Sequence, residues 1–174
     1  MPKRRSKHEV PVYEVRLLRS GSRRILRPRC AAPRDVVDLF RIHIGDPDRE
    51  HFVAFFLNAQ NRFIGIHTVS IGTVNTSVVH PREVFKAAIL RNAVSLVLAH
   101  NHPSGDPTPS AEDIAVTRGL YFCGNLLGIH VVDHVVVGVE DYASFVELSL
   151  MVDSDPGETD GSDDIIREGG WTSS

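Results

Sequence analysis

Cysteine is scarce: Cys30 and Cys123 are the only two, they lie far apart, and no C-x-x-C pair occurs. That excludes a disulfide framework and a thiolate zinc site, and it suits a reducing cytoplasm. No apolar run approaches the ~20 residues needed to cross a bilayer, and the chain opens Met-Pro-Lys-Arg-Arg-Ser-Lys with no apolar stretch behind it. A soluble, unexported, cytoplasmic protein without a membrane partner is expected. Acid is missing from one long stretch, since no Asp or Glu occurs between His51 and Arg82. No internal repeat is visible.

What remains is a chain of 174 residues, 42% hydrophobic, which is enough for one compact domain with a core and tails. Its formal net charge of -3 hides a polarity. Residues 1–29 carry ten Lys or Arg against Glu9 and Glu14, whereas residues 153–174 carry seven acids against Arg167. The basic arm, 1–29, has two readings: phosphate contact with nucleic acid, or plain solvated surface, with Tyr13 its only aromatic. The acidic tail, 152–174, has almost no core-forming residues and reads as disordered.

Between these ends, 30–151 reads as one layered α/β (α+β) domain with helices on a mixed sheet. A short edge strand is expected over 12–18, followed by a turn at Ser20-Gly21-Ser22. Pro33, with Val36, Val37, Leu39 and Phe40 at helical spacing, predicts a helix to about Ile44. The apolar run 52–57 reads as a buried strand with its hairpin return over 63–70. A helix starts at His80-Pro81, with Phe85, Ala88, Ile89 and Ala93 on one face. Strands follow at 93–99 and 129–137, separated by a helix over 111–123 closed by Gly124.

The chemistry gathers where the 93–99 strand ends. His100 and His102 are two residues apart, so in extended backbone both imidazoles project to one face while Asn101 points away. Pro103 breaks the strand, Ser104 to Pro109 form a stiff loop, and Ser110-Ala111-Glu112-Asp113 begins a helix that returns Asp113 to the histidines. Two histidines and a carboxylate leave one zinc position open for water, the pattern of catalytic sites, and zinc lowers the pKa of such a water to about 7. A plainer reading stands beside this one, in which Ser110 and Asp113 only form a capping box.

The string His100-Asn101-His102, seven residues that begin with Pro103, then Ser110-x-x-Asp113 resembles the JAMM motif of the MPN+ metallopeptidases. Around it, residues 77–85 (Ser-Val-Val-His-Pro-Arg-Glu-Val-Phe), 100–106 and 133–138 (Asp-His-Val-Val-Val-Gly) look like the bacterial RadC branch of that superfamily, over about Pro33 to Met151. The resemblance implies a cytidine-deaminase-like MPN/JAB fold and one zinc per chain on His100, His102 and Asp113. It also implies a serine, Ser110, supporting the water or the oxyanion, and a glutamate acting as general base.

The acids that can supply this base are Asp48, Glu50 and Glu83. Glu50 is favoured because it immediately precedes the buried 52–57 strand, as the family's glutamate precedes its first central strand. Glu83 sits in a helix's first turn, where the dipole favours acids regardless of catalysis. Asp133 and His134 are read either as partners that orient a ligand histidine or as satisfied polar residues in a strand. Asn101 and Ser104 are read as holding the loop, and His8, His43, His51, His67, His80 and His130 as surface or core residues. The implied activity is zinc-dependent cleavage of a peptide or isopeptide. RadC-like proteins carry a DNA-repair label, which supplies a DNA-associated module as an alternative, weakened because the chain starts too close to the domain for a separate helix-hairpin-helix unit. A non-catalytic MPN-type scaffold is the third reading. A zinc deaminase would want H-x-E and P-C-x-x-C, which are absent.

Overall fold

The computed structural model describes residues 10–11, 13–45, 47–72 and 79–151. The elements in chain order are α1 (Pro33–Ile44), β1 (Glu50–Leu57), β2 (Phe63–Gly72), α2 (Pro81–Leu90), β3 (Ser95–Asn101), α3 (Ala111–Leu127), β4 (His130–Val137) and β5 (Tyr142–Ser144). The strands make one sheet in the order β2-β1-β3-β4-β5, with β3 parallel to β4 and the other neighbours antiparallel. This is the mixed sheet flanked by helices that the sequence leads one to expect.

The central strands are apolar on both faces because both faces are covered. Phe52, Ala54 and Phe56 of β1 join Leu96 and Leu98 of β3 in a core with Phe85 of α2 and Leu120 of α3. The alternate residues Val53, Phe55, Leu57, Val97 and Ala99 pack instead with Val36, Val37 and Phe40 of α1. His100 continues the Leu96, Leu98 series, so the pleat delivers it to the face that α2 and α3 cover. Among the described residues, no helix is long and apolar enough to cross a membrane.

Three expectations need correction. Residues 13–18 are not a strand: they are exposed, and Arg16 binds Glu14 from two residues away. The segment pairs with no strand of the sheet, whose order is β2-β1-β3-β4-β5 among the described residues. On α2 the buried face is Val84, Phe85, Ala87 and Ala88, while Ile89 is 51% exposed. Helix α3 does not close at Gly124 but runs to Leu127, with Gly128 as the left-handed cap at φ 68°. Gly124 serves packing, since a Cβ there would stand 2.5 Å from the Ile129 carbonyl oxygen. The three-residue β5 was not anticipated. The acidic tail, His8, Ser77 and Val78 lie outside the described residues.

Candidate metal centre

The end of β3 and the start of α3 bring three side chains together. Ligand atoms of His100, His102 and Asp113 all lie within 4.8 Å of one another. His100 Nε2 is 3.1 Å from Asp113 Oδ1, His102 Nε2 is 3.3 Å from Asp113 Oδ2, and the two Nε2 atoms are 3.0 Å apart. The loop reaches this geometry through local bonds. Gly105 N donates to the His102 carbonyl at 2.9 Å, and Asp106 Oδ1 accepts from Thr108 N at 2.9 Å and from its hydroxyl at 2.7 Å. Ser110 then caps α3: its hydroxyl donates to Asp113 Oδ2 at 2.7 Å and accepts from Asp113 N at 3.1 Å. The capping box and the cluster therefore coexist in the same two residues.

Each imidazole uses its other nitrogen to fix its ring. His102 Nδ1 lies 2.8 Å from the Asp106 carbonyl oxygen, which only accepts, so Nδ1 carries the hydrogen. His100 Nδ1 lies 2.8 Å from His134 Nε2, and His134 Nδ1 in turn meets the Thr117 hydroxyl, which also bonds the Asp113 carbonyl oxygen. His134 is fully buried, stacked on Phe145 at 4.8 Å between centroids, and Phe52 stacks on His100 at 6.0 Å. Burial first, and then the neighbouring His100, push the His134 pKa well below the usual histidine value, so it stays neutral. Burial would raise the Asp113 pKa, but the neighbouring His100 and the hydrogen bonds from Ser110 outweigh it and hold the carboxyl well below the usual range. The cluster thus offers two imidazole nitrogens and a carboxylate.

His134 is therefore a partner of a cluster histidine, and Asp133 is not. Asp133 accepts from His134 N at 2.8 Å, Val146 N at 3.1 Å and the Ser144 hydroxyl at 2.7 Å. Sequence reasoning missed Thr117, although it sits four residues after Asp113 and hence on the same helical face. Asn101 does more than shape the loop. Its Oδ1 accepts from His51 N at 2.9 Å and its Nδ2 donates to the Arg49 carbonyl at 3.1 Å. It brackets the two peptide units around Glu50.

Glu50 opens β1, half-buried. Phe52 is in register with His100, and alternation places Glu50 on the same sheet face as both. Glu83 binds Lys86 Nζ at 2.7 Å and Arg82 Nε at 3.4 Å on the surface of α2. Asp48 is exposed and bonded to Arg49 at 3.0 Å. Among the other histidines, His43 lies 3.0 Å from the Thr68 hydroxyl, and none of the described ones joins the cluster. Both cysteines are free, and burial, then Asp35 and Asp133, push the Cys30 thiol up to about 11, which makes it a poor ligand or nucleophile.

A mixed α/β domain with a His-His-Asp cluster at a strand end and a helix start fits a JAMM-type metal site. The family model of the RadC-like JAB domain matches residues 30–150, and the chain belongs to that family. A UPF0758 protein of Desulforamulus reducens is 50% identical over 123 residues, covering 71% of this chain and 53% of that protein. A UPF0758 protein of Caldanaerobacter subterraneus is 56% identical over 107 residues, covering 62% and 46%. UPF0758 protein YsxA of Bacillus subtilis is 51% identical over 116 residues, covering 67% and 50%. The chain spans about half the length of these curated relatives.

Proposed function

We propose that this chain is a zinc metallopeptidase or isopeptidase of the JAMM type, with His100, His102 and Asp113 as the metal ligands. The observation that carries the reading is the convergence of two imidazole nitrogens and a carboxylate within 4.8 Å, with the second nitrogen of each ring committed elsewhere. Two nitrogens and one anionic oxygen suit zinc, and three protein ligands leave room for water and substrate. When bound, the ion supplies Lewis acidity, which acidifies a water and polarises an amide carbonyl.

The chain's own residues would do the rest. Glu50 would take a proton from the attacking water as the C–O bond forms and return it to the leaving amine as the C–N bond breaks, so one carboxylate serves both halves. Asn101, by bracketing the peptides on either side, holds the backbone from which Glu50 acts. Ser110 holds Asp113 through Oδ2, and its single hydroxyl hydrogen would turn from that oxygen to the developing oxyanion. The two free cysteines suit a reducing compartment such as the cytoplasm.

The test is metal content of the purified full chain by elemental analysis, beside His102→Ala, Asp113→Asn and Glu50→Gln. The expected result is about one zinc per parent chain. The two ligand variants lose it, and Glu50→Gln keeps it while abolishing any amide hydrolysis found in a peptide and isopeptide screen. A parent that stays metal-free after zinc reconstitution overturns the reading.

A further inference from the structure

We infer that Thr117 and His134 form an ordered hydrogen-bond relay that sets the tautomer of His100 and so makes its Nε2 a metal donor. The inference rests on the metal-ligand reading above and extends it to two positioning residues outside the motif.

The hydrogens available along the relay fix its order. The Asp113 carbonyl oxygen only accepts, whereas the Thr117 hydroxyl has a single hydrogen and can accept as well. If Thr117 donates to that carbonyl, its oxygen must accept from His134 Nδ1. His134 Nε2 is then a lone pair and accepts from His100 Nδ1 across 2.8 Å. The remaining nitrogen of His100, Nε2, is left as a lone pair 3.1 Å from Asp113 Oδ1 and 3.0 Å from His102 Nε2.

The reverse order fails. Were Thr117 to donate to His134 Nδ1, the His134 hydrogen would sit on Nε2 and require a lone pair at His100 Nδ1. A neutral His100 would then carry its hydrogen on Nε2, inside the cluster, and could not ligate. Only the first order is compatible with a bound ion. Asp113 closes the circuit at both ends, with its carboxylate in the cluster and its carbonyl anchoring the relay, so the placement of one helical turn fixes both. His102 needs no such chain, because a backbone carbonyl orients it.

The experiment uses zinc affinity and histidine NMR on the full chain. Thr117→Val keeps the side chain's shape without its hydroxyl and is expected to weaken zinc binding by about 10- to 100-fold. Thr117→Ser, which restores a hydroxyl, is expected to bind like the parent. In the zinc-loaded parent, nitrogen-15 histidine spectra are expected to show His134 protonated at Nδ1 and bare at Nε2. A His134 protonated at Nε2 in the loaded parent overturns the relay whatever the variants do, and so does parental affinity in a folded Thr117→Val. A parent that takes up no zinc overturns the metal reading and the relay with it, which separates the two failures.

Discussion

Asp113 and Asp133 are equally hidden, 7% and 6% exposed, yet their surroundings push them in opposite directions. Asp113 faces His100, His102 and Ser110, and His100 and Ser110 more than offset burial to favour its charged form. Asp133 receives two backbone N–H groups and the Ser144 hydroxyl, and burial still wins, raising its pKa. Depth alone thus does not mark a functional carboxylate. An aspartate among imidazoles is poised to share a cation, and one among neutral donors ties down a chain segment, here β5 and residues 145–147 against β4.

The largest effect that tests this contrast is on stability. Asp133→Ala leaves the buried N–H groups of His134 and Val146 and the Ser144 hydroxyl without their acceptor. The expected cost is about 3 kcal/mol by chemical denaturation, with zinc stoichiometry unchanged in the folded protein. Asp113→Ala is expected to do the reverse, losing zinc while the metal-free protein keeps a cooperative unfolding transition. Loss of metal in a folded Asp133→Ala would break the division of labour.

Why one aspartate was legible and the other was not is a matter of distance along the chain. His100, His102 and Asp113 are joined by a strand end, a proline-bounded loop and a capped helix start, so spacing alone brings them together. Whether Asp133 or its neighbour His134 serves the site depends on how α3 lies across β4, which Thr117, His134 and Gly124 settle only in the folded molecule. The two-faced burial of β1 and β3 was readable as unbroken apolar runs. Residues 13–18 carried only a partial strand pattern and lie exposed outside the sheet, and β5 is too short to carry any pattern.

Acid titration sharpens the same pair with opposite signs. Asp113 has a depressed folded pKa, so its contribution is present above the unfolded value, about 3.9, and fades as pH falls from there through the folded value. In metal-free protein, the parent's advantage over Asp113→Asn is therefore expected to shrink below about pH 4. Asp133 has a raised folded pKa, so its contribution is complete below about 3.9 and is lost as pH rises through the folded value. The parent is expected to lose ground to Asp133→Asn over that rise, in denaturation midpoints taken from pH 2 upward. Parallel profiles would show that the two environments do not differ as described.

The smallest effect concerns the carboxylate that carries charge partners without a pocket. Glu83 is partly exposed on the surface of α2, and hydrogen bonds from Lys86, then Arg82, lower its pKa. Solvent screens such a network, and exposed pairs of this kind contribute little. Glu83→Gln is therefore expected to leave the melting temperature, the zinc content and any amide hydrolysis of the parent unchanged. Glu50→Gln, on the sheet face of His100 and bracketed by Asn101, is expected to remove hydrolysis alone. A Glu83→Gln protein that keeps zinc but loses hydrolysis, beside a Glu50→Gln protein that remains active, would move the general base to α2 and leave Asn101 holding a backbone with no catalytic side chain on it.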